Sequence, residues 1–173
     1  MTELVAISQS LPSQSLELLL ELGEGETGFS GTSFGAGTTS VEEYIAYSID
    51  EHKGKNLPEG WVPQTTFWIV DRQQAVGMLR MRHRLTDVTR ISGGHIGYYV
   101  RPEERGKGYA RVALSLGLTE MAKIGVLEVM VTTTPENIGS NRVIKYNGGI
   151  LRHQVKHPEN DTIVNQYWIK LEG

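Results

Sequence analysis

The chain contains no cysteine. That absence excludes disulfides, thiolate metal sites and a cysteine nucleophile, and it fits a reducing compartment. Charge of one sign is not in excess either. Seventeen Lys and Arg against 20 Asp and Glu leave a net charge of −3. Such a balance gives no electrostatic attraction to nucleic acid or to an anionic membrane surface. No window approaches the ~20 apolar residues of a membrane span. Residues 1–10 lack a basic stretch followed by a long apolar one, so no signal peptide is expected and a cytoplasmic location is. HExxH and comparable metal-ligand spacings are missing, so no metal is expected. The P-loop string GxxxxGK with Ser or Thr is missing too, which excludes that type of nucleotidase.

What is present reads as one domain, residues 1–173, with ordinary apolar (39%) and charged (21%) fractions. Residues 4–7 read as a strand and 13–21 as a leucine-rich helix. Residues 23–40 are almost all Gly, Ser, Thr and Glu, with Phe29 and Phe34 as the only large apolar side chains, and read as a long functional or flexible loop. Ser40 and Glu43 have capping-box spacing, ahead of a helix with Val41, Tyr44, Ile45, Ser48 and Ile49 on one face. Residues 65–71 and 74–85 read as a hairpin. In its second arm Leu79, Met81, His83 and Leu85 share one face, and Arg80, Arg82 and Arg84 share the other. The arginine stripe is read as a solvated sheet face rather than an anion site, because antiparallel sheets often leave one face wet. A strand at 93–100, an amphipathic helix at 109–123 closed by Gly125, a buried strand at 126–132 and a short helix at 137–146 follow. Residues 150–155 and 163–171 form a closing hairpin. This order predicts an α/β fold: a mixed central sheet of six to seven strands flanked by about four helices, with a βαβ unit at 93–132.

Two glycine-rich strings compete as phosphate sites. Gly23-Glu24-Gly25-Glu26-Thr27-Gly28 has GxGxxG spacing. It follows a helical pattern rather than a strand, and its glutamates would repel a pyrophosphate, so it is read as a loop. Arg105-Gly106-Lys107-Gly108-Tyr109-Ala110 has the right context, a strand before it and a helix after it. Glycines let main-chain N–H groups approach an anion, the helix N-terminus adds partial positive charge, and Arg105 and Lys107 add full charges.

With its surroundings, this second string resembles the GCN5-related N-acetyltransferases (GNAT superfamily). Arg105-x-x-Gly108-x-Ala110 matches that family's acyl-CoA pyrophosphate motif. Residues 96–103 are similar to the strand and turn that lead into it. Asn137-x-x-Ser140-x-Arg142, ending at Asn147-Gly148-Gly149, is similar to the cofactor-side helix. The element order resembles the family along nearly the whole chain. Residues 93–98, with Arg82-His83 upstream, resemble a bacterial subgroup of predicted acetyltransferases.

The resemblance implies a transferase that moves an acetyl group from acetyl-CoA to a primary amine by direct attack in a ternary complex. The pyrophosphate would lie on the N–H groups of Gly106, Lys107, Gly108, Tyr109 and Ala110, beside Arg105. The pantetheine arm would pair with the main chain of Tyr98 and Val100, one N–H acting as an oxyanion donor, and Asn137 would touch the pantetheine or adenosine side. Many members carry a glutamate base on the motif strand, where this chain has His95. An unperturbed histidine titrates near ~6.5 and could serve as base; a cross-strand structural histidine is the other reading. His83 could be its partner, although for His83 alone a structural role is the better reading. Many members carry a tyrosine acid seven residues after the helix asparagine. Here that position is Ile144, Tyr146 is turned away from it, and the acid is left to water or another tyrosine such as Tyr99, or is not needed. In this fold the acceptor side maps to residues 23–40. Glu42, Glu43, Asp50 and Glu51 could attract a cationic amine, but a solvated helix face is the better reading. A small-molecule amine is the expected acceptor, with a homodimer compatible with the fold. A protein N-terminus or lysine as acceptor, or a silent acyl-CoA-binding module, are the rivals.

Overall fold

The computed structural model describes residues 1–172. Thirteen elements follow in order: β1 (Thr2–Ala6), α1 (Ser15–Leu22), β2 (Gly25–Glu26), β3 (Phe29–Ser30), α2 (Val41–His52), β4 (Gln64–Asp71), β5 (Gln74–Arg82), β6 (Ile96–Val100), α3 (Tyr109–Lys123), β7 (Glu128–Thr133), α4 (Ile138–Tyr146), β8 (Ile150–Lys156) and β9 (Ile163–Lys170). A short 3-10 turn, Pro102–Glu104, joins β6 to the approach of α3.

The strands form two main sheets rather than the one mixed sheet the element order predicts. The first has the order β1-β4-β5-β6 and the second β7-β9-β8, and each named pair in them is antiparallel. β6 and β7, the strands of the expected βαβ unit, are joined where the His95 N–H donates to the Met130 carbonyl at 2.8 Å. They form no ladder, so β6 is the free edge of the first sheet.

Strand alternation buries both faces of that sheet. Phe67 and Ile69 of β4, with Leu79 and Met81 of β5, face α3 and the second sheet in one core. Trp68, Val70, Ala75 and Met78 face α1 and α2 in another. The expected stripe on α3 is the buried one: Ala113, Leu114, Gly117 and Met121. Gly117 admits the sheet closely, since a Cβ there would lie 3.1 Å from Leu79 Cδ1.

The capping box forms as the spacing predicts. Ser40 Oγ accepts from the Glu43 N–H at 3.2 Å and Glu43 Oε2 accepts from the Ser40 N–H at 2.8 Å. Residues 23–40 are not structureless. β2 and β3 pair as a small hairpin, and Thr32 Oγ1 accepts from the Gly35 N–H at 2.9 Å to hold the next turn. The expected strands at 74–85 and 93–100 are shorter than their patterns suggested, ending at Arg82 and starting at Ile96. Gly93 and Gly94, with φ of 111° and 59°, bend the chain before β6.

Candidate active site

The strand expected to hold the donor, β6, is the free edge of the first sheet. Two hydrogen bonds bracket the β5–β6 ladder: Arg82 N–H to the His95 carbonyl at 2.7 Å and Arg101 N–H to the Val76 carbonyl at 3.0 Å. In an antiparallel ladder alternate residues bond inward, so Gly97 and Tyr99 face β5 and the N–H groups of Tyr98 and Val100 point outward. These are the two positions expected to pair with a pantetheine arm. The Val100 carbonyl accepts from Arg105 Nε at 3.0 Å.

The chain then turns through Gly106 (φ 78°) and Gly108 (φ 88°) into α3. Gly108 is the N-cap, no side chain caps the helix, and its first turn carries no acid. The leading N–H groups of Tyr109 and Ala110 are thus open to an anion, in the left-handed backbone that glycine adopts without strain. An unladdered strand edge that runs into an uncapped glycine-rich helix start fits a phosphorylated ligand with an amide-bearing arm.

The two motif cations are not free. Arg105 Nη2 donates to Glu26 Oε2 at 2.8 Å, and Lys107 Nζ to Glu104 Oε2 at 2.8 Å. Glu26, expected only to repel phosphate, holds the motif arginine in place. Tyr109 Oη reaches Asp71 at 3.2 Å. Across the gap from β6, Tyr98 Oη hydrogen-bonds Ser140 Oγ at 2.8 Å, and burial pushes the Tyr98 phenol up to about 12. Asn137 caps α4, its Oδ1 accepting from the Ser140 N–H at 3.1 Å. Ile144 is fully buried, and Tyr146 is exposed with the Arg111 guanidinium 4.4 Å from its ring centroid. Tyr99 is buried, its ring stacked 6.0 Å from that of Phe29.

The two histidines do not meet. His95 is buried, and its Nδ1 accepts from the Met130 N–H at 2.9 Å. Desolvation, with Arg90 and Arg82 nearby, lowers its pKa to about 4. His83 Nε2 instead hydrogen-bonds Thr65 Oγ1 at 2.8 Å, and Thr65 Oγ1 contacts His52 Nδ1 at 2.7 Å. The expected His83–His95 partnership is therefore replaced by a His83–Thr65–His52 cluster.

On the α2 face of the first sheet lies a pocket of about 540 Å³. Residues 30–33, α2, residues 59–62, β4, β5 and residues 86–89 enclose it. Its floor includes Arg80 and Arg82. The expected wet stripe is therefore the floor of a pocket, because α2 and residues 30–33 cover that face. Arg80 Nη1 donates to the Ser30 carbonyl and Oγ, both at 2.7 Å, and its guanidinium lies 4.2 Å from the Phe29 ring centroid. Arg82 Nη1 donates to the carbonyls of Gly93 and Gly94 at 3.3 and 3.1 Å. Arg80 pairs in register with Gly97, so the pocket sits one strand from the β6 edge.

The expected solvated acidic face of α2 is divided. Glu42 and Glu43 are exposed, and Asp50 accepts from Asn56 at 2.9 Å. Glu51 instead lines the pocket at 4% exposure. Burial raises its pKa above the usual carboxylate range, against the pull of a hydrogen bond from Gln64 and of Arg80 and Arg82. The signal for Glu51 was available: Tyr44, Ser48 and Glu51 are spaced i, i+4, i+7 and so share one helical face.

An edge strand, a glycine-rich helix start and a pocket beside them are the arrangement expected of an acyl-CoA-dependent transferase. Residues 30–150 match the family model described as an acetyltransferase (GNAT) domain. The chain belongs to that family of N-acetyltransferases. No curated protein matches it. Among solved structures it is similar to RimL, the ribosomal L7/L12 alpha-N-protein acetyltransferase in complex with coenzyme A, at 18% identity and a TM-score of 0.66 over 98% of both chains. It is also similar to the spermidine N-acetyltransferase of Vibrio cholerae in complex with CoA and spermine, at 14% identity and a TM-score of 0.63 over 98% of this chain and 95% of that one. A third is yncA of Salmonella typhimurium with its cofactor acetyl-CoA, at 17% identity and a TM-score of 0.57 over 78% and 76%. At these identities the likeness speaks for the fold alone.

Proposed function

We propose that the protein acetylates the primary amine of a small molecule, with acetyl-CoA as donor, and that the amine sits in the pocket on Glu51. The observation that carries this reading is a buried carboxylate in an enclosed pocket one strand from the donor edge. Its volume is that of a small-molecule site rather than a broad protein-docking surface. The amine enters as an ammonium ion and must lose a proton before attack. Glu51, held partly toward its neutral form by burial, accepts that proton near neutral pH better than an ordinary carboxylate would. Nitrogen then attacks the thioester carbonyl, the C–N bond forms, the C–S bond breaks and CoA leaves as thiolate. The outward N–H of Tyr98 or Val100 is the main-chain donor for the developing oxyanion.

His95 is not assigned the base role here. Its Nδ1 already accepts the Met130 N–H, and a pKa of about 4 makes it a weak base at neutral pH. Glu51→Gln should lower kcat by roughly 10²-fold or more. It should also remove the acidic limb of the kcat–pH profile, on which the rate rises with pH as Glu51 deprotonates. CoA release at saturating acetyl-CoA measures both. An unchanged limb would exclude Glu51 as base.

A further inference from the structure

Arg80 and Arg82 are the cations of this pocket. Among the described residues no carboxylate forms an ion pair with either guanidinium. Both are partly buried, and burial is the first cause that lowers the pKa of each. Two partly buried cations with no carboxylate in ion-pair contact, and only Glu51 across the pocket to offset them, are an unfavourable arrangement for folding alone. Their carbonyl partners satisfy some donors and none of the charge. Arg80 uses both Nη1 contacts on Ser30 and one Nη2 contact on Gly31. Arg82 uses Nη1 alone, on Gly93 and Gly94. Nε of Arg80, and Nε and Nη2 of Arg82, remain for a ligand. The buried Tyr44 hydroxyl lies beside Arg80 on the pocket wall.

We propose that the acceptor carries a carboxylate as well as its amine, with the carboxylate held by Arg80 and Arg82 and the amine directed to Glu51. The inference rests on the reading of this pocket as the acceptor site. One buried carboxylate beside two guanidinium groups offers a site of each sign, which the ammonium and carboxylate of an amino acid match sign for sign. A polyamine would meet both arginines as like charge. A phosphate dianion would set about twice the like charge of a carboxylate against Glu51, so a carboxylate fits better.

The test is CoA release with matched acceptors: glycine against glycinamide, β-alanine against β-alaninamide, with phosphoethanolamine and spermidine alongside. Each free acid should exceed its amide about tenfold or more in kcat/KM, as a charge-assisted contact to arginine implies. Arg82→Gln should raise KM for the acid by a similar factor and erase the preference, while Arg82→Lys restores part of it. Equal turnover of acid and amide would overturn the carboxylate site while leaving acetyl transfer intact. Faster turnover of phosphoethanolamine than of either acid would overturn it in favour of a phosphate. If no amine reacts, calorimetry of the CoA-loaded protein with β-alanine decides. Binding lost in Arg82→Gln supports the site without the transfer reading, and no binding overturns the site.

Discussion

A histidine that accepts a main-chain hydrogen bond inside a core is held in its neutral form, and His95 is such a residue. Its Nδ1 satisfies the Met130 N–H, so the ring proton of the neutral form sits on Nε2. With a folded pKa of about 4 against ~6.5 when unfolded, the group contributes stability that is present above pH ~6.5. That contribution is lost as pH falls from there through 4, and it amounts to about 3 kcal/mol at most. Replacing His95 with Gln should lower unfolding free energy at pH 7.5 by roughly 1–3 kcal/mol, through an orphaned or poorly satisfied amide. The variant should also lose less stability than the parent between pH 7.5 and 4.5, as urea melts at the two values would show. The acidic limb of its kcat profile should persist, because that limb belongs to Glu51. A His95→Gln variant that lost the limb and kept its stability would reverse the two roles.

At the scale of the element, the start of α3 is the proposed phosphate site of the donor. Gly108 holds φ at 88°, and a Cβ added there would meet only Arg111 Nη2, at 4.0 Å. Space is therefore available, and the backbone is the constraint. A β-branched residue would cost ~1–2 kcal/mol in that left-handed conformation or shift the helix start. Gly108→Val should therefore weaken CoA binding by at least about tenfold in calorimetry, with a smaller change in Tm than a core substitution gives. The outward amides of β6 are set by ladder parity alone, so side-chain changes at Tyr98 leave them in place. The helix α4 is held by Tyr98 to Ser140 and by the Asn137 cap, which fixes the far wall of the same gap.

At the scale of the molecule, the two main sheets part between β6 and β7, and the proposed donor site lies at that gap. Asn141 ties α4 to the second sheet. Its Nδ2 donates to the carbonyls of Thr134 and Asn137 at 2.9 and 2.8 Å, and its Oδ1 accepts from Asn165 at 3.0 Å and from Tyr167 at 2.6 Å. All of this lies in a nearly dry interior, where losing the hub strands several polar groups at once. Asn141→Ala should lower stability by about 2–4 kcal/mol and weaken CoA binding together, since the wall of the gap moves with α4. A loss of stability with unchanged CoA affinity would show that α4 does not shape the donor site.

The elements and the donor motif were legible in the sequence because they rest on local rules. Hydrophobic period fixed α3, Ser40-x-x-Glu43 fixed the start of α2, and glycine beside basic residues after a strand marked Gly106 and Gly108. The resemblance put the usual acid position at Ile144, which has no proton to give, and helical spacing turned Tyr146 away from it. The acceptor side was not legible. Alternation placed Arg80 and Arg82 on one face, yet only the packing of α2 and residues 30–33 over that face made it a pocket rather than a wet surface. Glu51 and Asp50 are chain neighbours; helical spacing set Glu51 on the face of Tyr44 and Ser48, and the packing of that face over the sheet buried it while Asp50 stayed bound to Asn56. His95 became a structural acceptor because β7 brought the Met130 N–H to it from 35 residues away. Local periodicity determines which elements form. Which polar side chain loses water, and so changes its chemistry, depends on contacts between segments distant in sequence.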